Sequence, residues 1–255
     1  MGGPACSPAT ADAAVSVLRL STQLHKWLAL IIGVQVLFWV VGGLVMTAIP
    51  IERVRSEHRV AAVETAPLPL EAVLSPAEAA RRAGIAPVDA QLRAAPRGPV
   101  WALKSPDGRT VVVDAVTGET PPPLTPDQAR ALAQRAYAGE HRAVSAELLA
   151  QAPQETGREG PLWRVDFDDP EKTTFYLSPQ TGELVTRRSD LWRFYDFFWR
   201  LHIMDLESGE DFNHPLLVAV TALTLVMAIA GVVLLWIRLA RDLKGWRSRR
   251  RNGTA

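Results

Sequence analysis

Four of the five histidines fall beside apolar runs. His25 immediately precedes one run, His58 follows it closely, and His202 and His214 precede a second. A neutral imidazole nitrogen is the commonest protein ligand for a transition metal, and a b-type haem needs only one or two axial imidazoles in an apolar pocket. His202 ends a stripe of Trp192, Tyr195 and Trp199 on a segment that Ser189 can cap as a helix, and Phe194, Phe197 and Phe198 share that segment. Such a segment would wall a porphyrin. The competing reading is an aromatic belt at a membrane boundary, where Trp and Tyr collect. His214 has a bland reading too: Asn213 would cap a helix whose first residue is Pro215, leaving His214 at the boundary. With Asp205 or Asp211 beside them, His202, His214 and His58 would equally hold a non-haem metal, and the spacing does not distinguish iron, copper or zinc. The fifth histidine, His141, lies in a polar stretch and reads as solvated.

Other chemistries find no support in the residues. There is no G-x-S-x-G, no H-E-x-x-H, no Walker loop and no dinucleotide fingerprint. Cys6 is the only cysteine, so an intrachain disulfide, a C-x-x-C redox pair and a covalent haem attachment are excluded. Asp166, Asp168 and Asp169 beside Pro170 read as turn formers. A formal net charge of +1 gives no reason to expect nucleic acid.

The elements that must position these residues are apolar helices. Leu28 to Ile49 runs without a charge, long enough to cross a hydrocarbon core of about 30 Å. It is too long for a signal-peptide core, and charged IERVRSEH follows Pro50 rather than a cleavage site. A second run covers Pro215 to Ile237. Seven of the last 18 residues are cationic, which places the C-terminus, and with two spans the N-terminus, in the cytoplasm. The expected order is a cytoplasmic segment over 1–24, spans over 25–50 and 214–238, and a basic tail over 239–255. Residues 51 to about 200 then lie outside, in the periplasm of a bacterial inner membrane. On the first span His25, Ile32, Gln35, Trp39, Gly42 and Met46 share one face, which should look at protein or cofactor, because a Gln in a bilayer needs a hydrogen-bonding partner. On the second, Thr221, Thr224, Ala228 and Gly231 make a stripe of small residues that lets another backbone approach. His25 and the outer histidines are about 30 Å apart and cannot share one iron. A bis-imidazole inner site would need His25 of a second copy in a two-fold dimer.

Between the spans the sequence repeats. Ser75-Pro76-Ala77-Glu78-Ala79 is echoed by Thr125-Pro126-Asp127-Gln128-Ala129. Each has a hydroxyl N-cap, a proline at the first helical position and Glu or Gln at the third, a capping box twice over. Each opens a short Ala-rich helix followed by a hairpin, VWALKS with RTVVVDAVTGE and LWRVDF with KTTFYLSPQTGELVTRR, closed by matching Thr-Gly-Glu turns. The expected fold class is α+β: a linker over 51–69, a domain over 70–188 made of two αββ repeats (about 73–120 and 123–186), and an aromatic interfacial helix and loop over 189–213.

The αββ unit closing on D-x-x-T-G-E resembles the PepSY domain. LHKWLALIIGVQVLFWVVGGLVMTAIPIERVRSEH and WRFYDFFWRLHIMDLESGEDFNHPLL resemble the membrane entry segments of PepSY-associated transmembrane proteins, and the likeness covers about residues 20 to 240. Larger members of that superfamily have four helices and are associated with b-type haem and reduction of ferric siderophores. The resemblance therefore implies a haem- or metal-binding protein of transmembrane electron transfer or iron reduction. His25, His202, His214 and His58 would be its ligand candidates, Gln35 and Trp39 would line the pocket, and an unidentified redox or iron-carrier partner would meet it in the periplasm. PepSY domains also occur in protease propeptides, which implies the rival reading, a non-enzymatic membrane-anchored binding or regulatory module.

Overall fold

The computed structural model describes residues 8–62, 68, 71–207, 209, 211 and 213–252. The long helices stand at the ends of the chain, α1 over Pro8–Ala48 and α6 over Pro215–Asn252. Each holds a stretch long and apolar enough to cross a membrane, Lys26–Ala48 and Pro215–Gly245. Pro50 ends the first by disfavouring helical geometry at the residue before it; Pro215 opens the second, where a missing N–H costs nothing. Their large apolar side chains, Ile31, Val40, Val226 and Val233 among them, are exposed, as a lipid solvent would require. On α1 the covered side chains fall on one face: Ile32 and Gly42 are buried and Gln35, Trp39 and Met46 half-buried. On α6 the small-residue stripe meets nothing at Gly231, where an added Cβ would have no atom within 4 Å, and the Thr224 hydroxyl turns back to the Val220 carbonyl at 2.7 Å.

The chain divides into two compact units. One is Ala48–Asp196; the other holds both long helices, and the division falls inside α5, Asp190–Ile203. The first unit begins with the short α2 (Ile51–Val54) and continues with two repeats. The first repeat has α3 (Pro76–Ala83) and an antiparallel sheet of β1 (Asp89–Ala95), β2 (Gly98–Lys104) and β3 (Thr110–Asp114) in that order. The second has α4 (Pro126–Ala136) and a sheet ordered β4 (Ala143–Leu149), β5 (Leu162–Phe167), β6 (Thr174–Leu177), β7 (Leu184–Arg188).

Each repeat therefore carries more strands than the αββ expectation. β1 (DAQLRAA) and β4 (AVSAELL) are alanine-rich edges with low intrinsic strand preference, held by pairing to β2 and β5. In the second repeat the run after the hairpin turn folds back around Thr181-Gly182-Glu183 as the extra strand β7. The first repeat cannot do the same, because Pro121, Pro122 and Pro123 follow its turn and lack the N–H groups a ladder needs.

The two Thr-Gly-Glu turns are built alike. The Asp114 carboxylate accepts from the Val116 and Thr117 amides at 2.8 Å, and Gly118 N–H returns to the Asp114 carbonyl. In the second turn Gly182 N–H returns to Ser178. Both glycines are left-handed, with φ of 75° and 70°, and both lie against their own repeat's helix, Gly118 on Arg82 and Gly182 on Leu132. That close approach closes the two cores. Ala79 and Ala80 pack on Trp101, Leu103 and Val113 in the first. Ala129, Leu132 and Ala133 pack on Trp163, Val165, Phe167 and Phe175 in the second, where Tyr137 stacks on Phe167 at 4.2 Å.

The helix starts differ in one respect. Thr125 and Gln128 complete a capping box. Ser75 accepts the Glu78 amide, but the Glu78 carboxylate is drawn to Arg82 (3.0 Å) and Arg81 instead of returning to the cap, so that box is half formed.

The acidic turn is more than a turn. Asp169 is buried and accepts from the Thr173 amide (2.7 Å), the Thr173 hydroxyl (2.6 Å) and the Tyr137 hydroxyl (3.1 Å). Asp166 sits on β5, bonded to Ser145, Thr174 and Arg164. His141 is not simply solvated, since its Nδ1 lies 3.4 Å from Asp168, which also accepts the Arg142 amide.

Candidate functional site

The candidate site lies in the helical unit, where α1 meets the last turn of α5. Twelve residues after its first, α5 presents His202. Gly42 allows the approach: a Cβ added there would stand 3.5 Å from His202 Nδ1 and 3.5 Å from the Phe198 carbonyl. One turn earlier on α1, the Trp39 indole N–H donates to the His202 carbonyl at 2.8 Å. The last carbonyls of a helix have no partner within it, so this indole satisfies one of them. The Trp39 and His202 rings stand 6.5 Å apart, tilted by 54°. Among the described residues the buried His202 Nδ1 has no hydrogen-bond partner; the same holds for Gln35 Nε2 and His214 Nδ1. Leaving such a nitrogen unmet costs about 1–3 kcal/mol, which makes each one a place to look for a missing ligand.

The α5–α6 connection folds onto α5 itself. Asp205 is buried and accepts from the Glu207 and Asp211 amides, both at 3.1 Å. Trp199 donates its indole N–H to the Gly209 carbonyl (3.1 Å) and Arg200 reaches the Glu207 carbonyl (3.0 Å). Asp205 and Asp211, weighed above as metal ligands, are thus tied into loop geometry. The His214 carbonyl accepts from Val218 N–H at 3.2 Å, so His214 itself, rather than Asn213, flanks the first turn of α6.

The other histidines are placed differently. His25 falls on α1, but its side chain lies outside the described residues. His58 belongs to the sheet unit, where its Nε2 meets Glu171 at 3.2 Å; Arg59 meets the same carboxylate at 3.3 Å, a hydrogen bond that holds the Arg59 guanidinium above its ordinary range. Among the described residues no three His, Cys, Asp or Glu side chains come together to hold a metal ion. The structure brings together His202, Trp39 and Gly42.

Within the sheet unit the start of α5 is firmly held. Ser189 caps it through the Trp192 amide (3.3 Å) and receives the Ser56 hydroxyl at 3.1 Å. Arg193 makes two bonds to Glu155 (3.0 and 3.2 Å), which also accepts the Tyr176 hydroxyl at 2.6 Å, and Arg188 lies 4.1 Å over the Trp192 ring. Burial works to raise the Glu155 carboxyl, but Arg193 and Tyr176 outweigh it and hold the carboxyl below its usual range. Burial and that same carboxylate push the Tyr176 phenol up. Burial, then Asp169, push Tyr137 to about 12. The Glu155 cluster was invisible in the sequence, because its members stand 21 and 38 residues apart with no shared motif. Trp39 was visible as part of a stripe, though not as the donor to a helix end.

No curated protein and no solved structure matches the chain. The family described as the PepSY-associated TM region matches residues 22–255, which takes in both apolar helices, the two repeats and the α5 site. With that match running through almost the whole sequence, the chain belongs to the PepSY-associated TM region family.

Proposed function

We propose that this membrane-associated PepSY protein spans the bacterial inner membrane twice, with both termini cytoplasmic and the PepSY-type domain of two repeats in the periplasm, and that it carries electrons by way of a b-type haem held at His202. The observation that supports this most is the placement of the His202 imidazole against Gly42 and Trp39 of an apolar helix, with Nδ1 packed on Gly42 and Nε2 left as the nitrogen able to meet a metal. The donor set fits one axial ligand. Nδ1 is walled by Gly42, so iron would be met through Nε2, with Trp39 and the α5 aromatics as neighbouring apolar surface. When bound, the haem supplies a one-electron couple near the membrane boundary. The chain's own part is to fix the imidazole. Trp39 holds the end of α5 through the His202 carbonyl, Gly42 sets the approach, and the Ser189 cap with the Arg193–Glu155 pair fixes the helix at its start. His25 would serve a separate inner site, completed by His25 of a second copy in a two-fold dimer, and reduction of a periplasmic ferric siderophore or other iron carrier would be the use of the electrons. His214, with its own unmet Nδ1, is the second outer candidate.

A pyridine-haemochrome assay on the purified full chain, expressed with haem supplied, tests the reading. Haem in wild type, lowered in His202→Ala by the outer-site share while any His25 haem remains, is expected; wild-type protein without haem contradicts it. Alkaline phosphatase fused after Gly157 should be active and after Gly253 inactive, and the reverse pattern contradicts the topology.

The rival reading, a membrane-anchored binding module, draws on a crevice of about 670 Å³ lined by residues of both sheets. Its lining includes Arg93, Arg158 and Glu159 together with the apolar Leu162 and Val185.

A further inference from the structure

Helix α5 exposes little but phenylalanine. Among its residues only Asp190, Phe194 and Phe197 are exposed, the two phenylalanines at 48% and 57%. They stand three apart, on one side of the helix. Elsewhere along the same helix the tryptophans are engaged by protein: Arg188 covers Trp192, and Trp199 donates to the Gly209 carbonyl. The tryptophans of this helix are thus engaged by protein, and the outward aromatic surface is Phe, which has no polar tip to keep in water.

Depth comes from the α1 contact. Gly42, against which His202 packs, lies six residues, about 9 Å of helix, inside the Ala48 end of the apolar span. Trp39, bonded to the His202 carbonyl, lies nine residues in. The last turn of α5 therefore runs beside residues of the span itself, and the exposed Phe197 of that part cannot face bulk water if the span is in lipid. The loop after it limits the depth: Asp205, Glu207 and Asp211 would not enter hydrocarbon, and their organised turns keep the chain at the headgroup level. The backbone groups at this end are met by the Trp39, Trp199 and Arg200 side chains, which irregular chain near hydrocarbon requires.

We infer that α5 is a membrane-inserted boundary helix, its Phe194 and Phe197 side chains seated among the acyl chains of the outer leaflet, so that His202 is held at the lipid boundary rather than in the aqueous domain. The occupant of this surface is lipid. The inference rests on α1 spanning the membrane and is independent of what His202 ligates.

Spin labels on the full chain in nanodiscs test it, in a Cys6→Ser background, at Phe194→Cys, Phe197→Cys, Val40→Cys and Val144→Cys. Val40 (63% exposed, mid-span) is the lipid reference and Val144 (58% exposed, on β4) the aqueous one. Labels at 194 and 197 should be relaxed several-fold more by oxygen than by a nickel chelate, as at 40, with the opposite ratio at 144. An aqueous ratio at 194 or 197 overturns the inference while leaving the span intact. Low relaxation by both agents overturns it in favour of a protein contact, and an aqueous ratio at 40 overturns the spanning reading itself. The wild-type chain gives a second measure that needs no substitution: under hydroxyl-radical footprinting Phe194 and Phe197 should be protected and Val144 oxidised, and oxidised phenylalanines would contradict insertion.

Discussion

The two units treat buried polar groups in opposite ways. In the sheet unit Asp169 has three donors, Ser56 finds Ser189, Tyr176 finds Glu155, and Thr181 finds Glu183 at 2.9 Å. Of the four buried side-chain nitrogens without a partner among the described residues, Trp163 Nε1 alone is there; Gln35, His202 and His214 all belong to the helical unit. A scaffold is expected to satisfy itself, because each lapse costs stability and returns nothing. A binding site is expected to hold groups that only the ligand satisfies. The contrast accords with the proposal that the sheet unit is framework and the helical unit holds the site.

Breaking the self-satisfied side should cost most. Asp169→Ala leaves the Tyr137 hydroxyl and the Thr173 amide without their acceptor and should lower stability of the full chain by about 3 kcal/mol in urea titration. A loss under about 1 kcal/mol would mean the network is not the framework described. Gly182→Ala should cost about as much, some 3 kcal/mol, because φ is 70° and the new Cβ meets Leu132 in the core. Gly118→Ala should cost somewhat less, about 2 kcal/mol, since its nearest atom is the Arg82 Cδ, which can turn aside, although Arg82 Cβ (3.0 Å) and Leu74 (3.1 Å) stay close. Equal losses would remove the difference drawn between the two repeats.

Treating the orphaned side the same way should have the opposite sign. His202→Phe in haem-free protein removes a buried nitrogen that has no partner and should leave stability unchanged or raise it by about 1 kcal/mol, read by thermal melting. A large loss would mean that His202 is a structural residue.

Smaller effects separate the helix starts and the acid response. Thr125→Ala, losing a full capping box, should cost about 1 kcal/mol, and Ser75→Ala about half of that. Because the Glu155 carboxyl is held below its ordinary value in the folded chain, its contribution is complete above that value and fades as pH falls through the folded one. The stability gap between wild type and Glu155→Gln should therefore be constant from neutral pH to about 5 and shrink below about 4. A gap that grows on acidification would reverse the assignment.

Much of the framework could be read from the sequence because its signals are local. Proline after a hydroxyl residue announced both short helices, the Thr-Gly-Glu turns announced both repeats, and uninterrupted apolar runs announced the long helices. What escaped reading is tertiary in origin. β1 and β4 are strands because of the neighbours they pair with, and alanine-rich sequence does not advertise that. The capping box at Ser75 fails only because Arg81 and Arg82 compete for Glu78. At the site, the stripe containing Trp39 and Gly42 was legible from helical periodicity. Its partner was not: His202 is 163 residues from Trp39, and its histidine reads as readily as part of an outer cluster. His58 looked equivalent to His202 by position, yet Glu171, 113 residues away, engages it.

The central claim is the proposal that His202 is a haem ligand and that His58, paired with Glu171, is not. Its most direct measurement is the dithionite-reduced minus air-oxidised absorption spectrum of membranes carrying wild type, His202→Ala or His58→Ala at matched protein levels. The account predicts a Soret and α-band difference in wild type and in His58→Ala, and a loss of the outer-site component in His202→Ala. A wild-type spectrum without those bands, or a His202→Ala spectrum identical to wild type, would contradict it.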